Sequence, residues 1–507
     1  MLFIEFILNV YFPIFGKLNH AEMKKTILIT IKCLLILLCV RCTGQNLKNS
    51  AEVADRIKQV ENNLSGWVHT GENDTWSLAE RMKQLNIKGV SIAVINDYKV
   101  EWAKGYGLAD EEEKRPVTGK TLFQAASISK SLNSLGILKL VQENKLDLNS
   151  DINNYLVTWK LPYDQKFKNY PVTLRELLSH TAGLTVHGFP GYERGKEIPA
   201  LPMILDGKAP ANTAAIRVFT EPGQQVIYSG GGTTISQLII TDVTKQLYAD
   251  YMQKNVLDPL GMTSSSYNQP PADNLKELLA TGYLADGTEV KGKYHIYPEQ
   301  AAAGLWTNPA DLCKYIIETQ LAFNGKSGKV LTTEMTKLRL TPVLQDAALG
   351  TFVNTRVAGS ARYFNHNGGN AGFTCTAYGS LDEGKGAVIM TNTENGALLE
   401  EILNSIATVY KWKDFYFPEN RKTKNIPEQQ LSKYIGKYDL DGASGIVKKA
   451  GTGLAINIIG ADWKLYFTSD SDFFLREYKG DFRFRTGADG KARAIVVDGH
   501  ELKRISE

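Results

Sequence analysis

Ser127 stands where an apolar helix begins and Lys130 follows three residues later, within Phe123-Gln124-Ala125-Ala126-Ser127-Ile128-Ser129-Lys130-Ser131-Leu132. A helix turns once in about 3.6 residues, so the pair shares a face and the amine can reach the hydroxyl. Serine is a poor nucleophile until its proton has a destination, and an adjacent amine supplies one if its surroundings hold it neutral. A Ser-x-x-Lys pattern also arises by chance, and its ordinary reading is a helix start with a solvated lysine. The residues that decide between the two lie downstream.

With 507 residues, 43% hydrophobic and 22% charged, the chain is long enough for two or three domains and a large core. Residues 1–44 read as a signal or targeting segment. Met23-Lys24-Lys25 is the charged start, 26–40 the apolar region and Cys42-Thr43-Gly44 the cleavage site, with translation expected to begin at Met23 and the mature protein near Gln45. The expected location is secreted or periplasmic. A lipid anchor on Cys42 or an uncleaved membrane segment is the alternative, and membrane contact is expected only through these N-terminal residues. Without them the chain loses five basic and two acidic residues from a net charge of +4, which leaves no electrostatic case for nucleic acid. Cys313 and Cys375 then remain and read as buried free thiols. The histidines are scattered without metal-ligand spacing, so neither metal nor other cofactor is expected.

Periodicity gives helices within 50–88, including one from Ser77 to Leu85, then an antiparallel hairpin from Val90-Ser91-Ile92-Ala93-Val94-Ile95 and Val100–Gly107 around a turn at Asn96-Asp97. The serine helix follows, with Leu132, Leu135, Leu138 and Val141 toward the core. Asn308-Pro309 starts another helix, Phe373–Gly379 and Ala387–Thr391 form a second hairpin, and a helix runs from Ala397 to about Tyr410. Strands at both ends of this segment imply one antiparallel sheet flanked by helices, an α+β domain over 50–415. Residues 416–430, charged and proline-containing, read as a linker. Residues 431–507 alternate in short strands and read as a small all-β domain, a barrel or lipocalin-like unit, in which Phe482 and Phe484 pack and Arg483 and Arg485 face solvent.

Four further segments belong with Ser127. Tyr228-Ser229-Gly230 puts a phenol at the end of a turn. His366-Asn367-Gly368-Gly369-Asn370 is a glycine-rich strand edge suited to close approach of a ligand. Ser179-His180-Thr181-Ala182-Gly183, whose histidine reads as structural, precedes both, and Ala302-Ala303-Gly304-Leu305-Trp306-Thr307 lies between them.

Taken in order over residues 75 to 410, these segments resemble the serine β-lactamase and penicillin-binding family, most closely its class C-like branch of esterases, D-amino-acid peptidases and β-lactamase-like hydrolases. The resemblance implies a β-lactamase/transpeptidase-like fold in which Ser127 is the nucleophile, Lys130 and Tyr228 share its proton, and the ammonium favours phenolate character on the tyrosine. It further implies an oxyanion hole from the backbone N–H groups of Ser127 and Gly369, with His366, Gly368, Gly230 and Asn370 on the substrate side. One position departs from the family pattern. Its tyrosine motif commonly ends in asparagine, and Gly230 cannot make that amide's hydrogen bonds. The expected function is therefore a serine hydrolase acting on small esters, amides or D-amino-acid and peptidoglycan-type peptides, with β-lactams less favoured. The alternative is a protein of the same fold that binds such a ligand without turnover.

Overall fold

A run that is apolar at successive positions makes a strand only if both of its faces are covered. In the computed structural model, which describes residues 50–355, 361–440, 443–458 and 461–506, that run is strand β1 (Gly89–Asn96), buried along all but its last residue. The expected signal segment lies outside the described residues. Residues 50–58 belong to one compact unit and are helical, and all the sheets belong to the other, residues 59–507.

The chain leaves β1 through Asp97 and Tyr98, with φ of 50° and 57°, and returns as β2 (Lys99–Asp110). Two left-handed residues are what a two-residue type I′ hairpin requires, so the turn sits one residue later than the Asn-Asp pair suggests. With β3 (Arg115–Pro116), β4 (Phe352–Thr355), β5 (Arg362–Asn370), β6 (Phe373–Ser380) and β7 (Gly386–Thr391), the sheet runs β3-β2-β1-β7-β6-β5-β4, antiparallel throughout. Strands from the two ends of the domain thus meet at β1 and β7.

Helix α1 (Leu78–Gln84) starts at Ser77, whose hydroxyl and Glu80 form a capping box. Then come α2 (Ser129–Gln142), α3 (Gly230–Thr244), α4 (Gln300–Ala303), α5 (Pro309–Phe323), capped by Asn308, and α6 (Ala397–Val409). Helix α5 packs on β1 and β7, and α6 on β7 and α1. Helix α2 lies among α3, α4 and the helical segments Tyr248–Met252 and Thr333–Arg339, and eleven of its fourteen residues are buried rather than one apolar face. A helix enclosed on all sides must satisfy its polar groups internally. Asn133 does so by donating to Ser236 Oγ (2.8 Å) and accepting from the Tyr248 hydroxyl (3.0 Å), and Ser131 by donating to the Gly350 carbonyl (2.7 Å).

The C-terminal strands β8 (Gly436–Leu440), β9 (Ala443–Ala450), β10 (Gly453–Ile458), β11 (Ala461–Lys464), β12 (Tyr466–Phe467), β13 (Asp472–Phe474), β14 (Phe482–Thr486), β15 (Ala492–Val497) and β16 (His500–Ser506) form a nine-stranded sheet. Its order is β11-β10-β9-β8-β16-β15-β14-β13-β12. The two edge strands are consecutive in the chain, separated by Leu465 alone, so the sheet curls nearly closed into a barrel. Aromatic rings fill it, Phe484 stacking on Tyr434 at 4.2 Å and on Phe473 at 4.7 Å. The stretch expected as a linker is paired: Glu419–Asn420 lies parallel to Val68–His69.

A buried charge cluster ties the barrel to the helices. Arg81 of α1 reaches Glu401 of α6 (2.5 Å) and Glu477 of the barrel (2.7 Å), while Trp76 lies between the guanidinium groups of Arg81 and Arg476, each 4.2 Å from its ring. Removing one partner of a buried pair strands the other charge. Glu401→Ala is expected to cost about 3–5 kcal/mol, read from urea unfolding at neutral pH. A loss below about 1 kcal/mol would show that Glu477 alone satisfies Arg81.

Candidate active site

Ser127 sits in a single 3₁₀ turn (Ala126–Ile128) that leads into α2, and it keeps partial exposure while its neighbours are buried. Ala126 just before it has φ of 46°, a left-handed conformation that a side chain disfavours. His180 (58°) and Val186 (65°) share that conformation. Such strain costs on the order of 1–3 kcal/mol per residue and persists only where surrounding contacts impose it.

Lys130 is the second residue of α2, one turn beyond Ser127, with Nζ 2.9 Å from Ser127 Oγ and donating to the Ala302 carbonyl of α4 at 2.7 Å. The amine is fully buried with no carboxylate beside it, and desolvation brings its pKa down to about 7. Near neutrality a large share of Lys130 is therefore free base, in reach of the hydroxyl it would deprotonate.

Tyr228 closes the second wall, its ring 5.0 Å from Lys130 Nζ and 4.3 Å from the ring of His180. The expected phenolate does not hold. Burial raises the phenol's pKa, only partly offset by the Ser127 hydroxyl, which faces it without completing a hydrogen bond. A desolvated, largely neutral lysine offers little charge to stabilise a phenolate, so the Tyr228 phenol keeps its proton near neutrality. His180 has a definite task here: its Nδ1 accepts the Ser229 N–H (3.2 Å) and its carbonyl accepts the Ile227 N–H (2.7 Å), which fixes the turn carrying Tyr228. Burial and Lys130 keep its imidazole neutral.

The third wall is β5. Strand β4 pairs only with residues 362–365, so the outer edge of β5 beyond Asn365 borders a cleft of about 250 Å³ lined by Ser127, Tyr228, Phe352 and residues 365–369. His366 is buried and neutral, its pKa lowered to about 3 chiefly by desolvation. Its Nδ1 donates to the Asn367 carbonyl (2.6 Å), its ring faces Tyr228 and Phe352, and its Nε2 has no partner among the described residues. A Cβ on Gly368 would stand 2.5 Å from the Ala125 carbonyl and 2.6 Å from Cys375 Sγ, so only glycine lets β5 lie against the serine turn. At Gly369 a Cβ would meet nothing within 4 Å, which leaves its backbone open to the cleft. Asn370, expected to contact substrate, points elsewhere: its amide donates to Gln124 (2.7 Å) and to the Ala303 carbonyl (3.1 Å), tying β5 to α4. Gly230 opens α3, and a Cβ there would come within 3.0 Å of the Phe189 ring.

The Ala302 segment stands out in the sequence without disclosing its task, because a backbone acceptor leaves no side-chain signature. His187 and Phe189 belong to no motif that would have marked them. A larger depression of about 760 Å³, lined by Leu78, Met82, Lys104 and Tyr106 among others, contains none of the chemistry-bearing residues.

The chain matches the Beta-lactamase family model over residues 77–407. Protein flp of Staphylococcus aureus (strain N315) is 32% identical over 235 residues, 45% of this chain and 43% of that protein, so the match spans less than half of that relative's length. Penicillin-binding protein 4* of Bacillus subtilis (strain 168) is 25% identical over 426 residues, 79% of this chain and 91% of that protein. The octameric penicillin-binding protein homologue from Pyrococcus abyssi shares the fold with a TM-score of 0.57 at 22% identity, covering 84% of this chain and 98% of that one. A family match across more than half of the chain, taking in the serine turn, the tyrosine turn and the whole of β5, makes this chain a member of the β-lactamase family.

Proposed function

We propose that the protein is a serine hydrolase that works through an acyl-enzyme on Ser127, of the class C-like kind in which a lysine and a tyrosine manage the proton. One observation carries this reading: the desolvated Lys130 amine, 2.9 Å from Ser127 Oγ and oriented by the Ala302 carbonyl. Neutral Lys130 accepts the hydroxyl proton as Oγ attacks the carbonyl, and Tyr228 passes a proton to the leaving group. A water deprotonated along the same path then releases the acyl group. The backbone N–H groups of Ser127 and Gly369 serve as the oxyanion hole, a role worth roughly 10² to 10³ in rate per donor. Gly368 and the neutral His366 shape the wall opposite Tyr228.

Small esters, amides and D-amino-acid or peptidoglycan-type peptides are the substrate class, a small molecule or peptide with no nucleic-acid partner. Two of the similar proteins are a penicillin-binding protein and a homologue of one, which supports a site of this kind. Secretion follows from the N-terminal segment's composition, and among the described residues no helix is long and apolar enough to cross a membrane. The domain division, with the hydrolase over 50–415 and the β domain over 431–507, belongs to the same reading.

Exposure to a fluorophosphonate is expected to add one adduct to Ser127 by intact-mass spectrometry, lost in Ser127→Ala. A protein that binds ligand without turnover would stay unmodified. For an ester substrate, kcat/KM should rise with pH through about 7, because the free amine is the reactive form, and fall about tenfold per unit well below that value. A profile flat from pH 5 to 8 would remove Lys130 as the base. Lys130→Ala and Tyr228→Phe should each cost about 10² to 10⁴ in kcat, and the double variant little more, as expected of groups acting as a unit. Independent, multiplying losses would show two separate roles.

A further inference from the structure

Amide side chains clasp the short helix α4. Gln237 of α3 accepts the Ala301 N–H (2.9 Å) and donates to the Pro298 carbonyl (3.0 Å), and Gln300 donates to the Tyr267 carbonyl (2.7 Å). Gln269 accepts the Tyr297 N–H (3.2 Å) and donates to the Gly304 carbonyl (2.7 Å). The carbonyls of α4 itself reach into the active site, Ala302 receiving Lys130 and Ala303 receiving Asn370.

Glu299, at the start of this helix, is the exception to that clasp. Its backbone is part of the helix, the carbonyl accepting the N–H groups of Ala302 (3.0 Å) and Ala303 (2.9 Å). Its side chain is fully buried, and neither carboxyl oxygen has a partner among the described residues. The ionisable groups within reach of its charge are the phenols of Tyr192 and Tyr297. Both are already engaged: Tyr192 accepts the Asn212 N–H (3.3 Å), and Tyr297 accepts the Ala371 N–H (3.0 Å) and donates to the Pro190 carbonyl (3.3 Å). Of the helices packed on α4, α2 contributes Lys130, held at the Ala302 carbonyl, and α3 contributes Asp242, which is bonded to Val157 and Thr158. No cation pairs with Glu299. An unpaired carboxylate in such a place is costly, so burial favours the acid form and raises its pKa to about 8.

We propose that Glu299 is a positioning residue that serves the reaction only while it carries its proton. Uncharged, it lets α4 stay packed with the Ala302 carbonyl on Lys130. Ionised, it must seek water, and it draws the start of α4 and that carbonyl away from the amine. The site is then closed at both ends of its pH range, by protonation of Lys130 below about 7 and by ionisation of Glu299 above about 8. Tyr228 does not set the upper limit, because burial holds its phenol well above that range. The proposal rests on the serine-hydrolase reading above, since it concerns the base of that reaction.

Two rates test it in the unaltered protein: kcat/KM for a neutral nitrophenyl ester and the labelling of Ser127 by a fluorophosphonate. Both should fall about tenfold per unit above pH of about 8 and recover on return to pH 7. Glu299→Gln keeps the shape of the side chain and cannot ionise, so it should hold both rates level to pH 9.5. Stability gives a second readout. The folded protein keeps a proton that the unfolded chain releases above its ordinary value of 4.5, so the unaltered protein loses stability as pH rises from there to about 8. The urea midpoint of Glu299→Gln should therefore gain on that of the unaltered protein between pH 5 and pH 8.5. Rates that stay level from pH 8 to 9.5 in the unaltered protein, or that fall equally in Glu299→Gln, would overturn the proposal. A shifted midpoint with an unchanged rate profile would overturn it too, and leave Glu299 with an effect on stability alone. If Ser127 labels equally at pH 7 and 9.5, this proposal fails by itself; if Ser127 labels at no pH, the hydrolase reading fails and takes this one with it.

Discussion

An amine kept away from water without a counter-ion is the condition on which the rest of the site depends. A buried, isolated ammonium is costly enough that the group gives up its proton instead. Lys130 is held in that situation by a helix enclosed on all sides and by a carbonyl, not a carboxylate, at its tip. The neighbouring bases follow the same logic. His180 and His366 are both buried and neutral, and Lys130 is among the influences that lower each. Three groups that take up protons readily in water are packed around one phenol and kept largely uncharged, so a proton taken from Ser127 has few competing places to go.

The three walls come from distant stretches of chain. Ser127 is brought by the start of α2, Tyr228 by the turn before α3, and residues 366–369 by a strand that β7 and β6 separate from β1 in the sheet. The fit between the first and the last is made by an absent side chain: Gly368 lets β5 settle against the turn, and Cys375 behind it donates to the Ala125 carbonyl. A chain with so many non-local pairings closes its loops late, and the site exists only once the sheet is complete.

Much of this was legible. The Ser127 and Lys130 pair, the helix from Ser77, the helix start at Asn308, both hairpins and the all-β character of the C-terminal strands follow from local patterns that local geometry obeys. What escaped has no local signature. Whether Lys130 is neutral depends on atoms from α4, and whether Tyr228 ionises depends on burial that no motif records. The direction of Asn370 follows from Gln124 and the Ala303 carbonyl, distant in sequence. The pairing of Glu419–Asn420 with Val68–His69 joins segments whose composition announces only a charged stretch and a loop. The resemblance located Gly230 as a departure, but only the packed chain shows Phe189 against it.

The left-handed backbone at Ala126, His180 and Val186 sets a limit on how such a protein can change. All three residues sit next to working parts rather than in the bulk of the core, so these uncomfortable peptides are the ones that aim the domain's chemistry. Substitutions that let these turns relax would win stability and lose aim together. Variation that preserves the cleft is thereby directed outward, to barrel and surface.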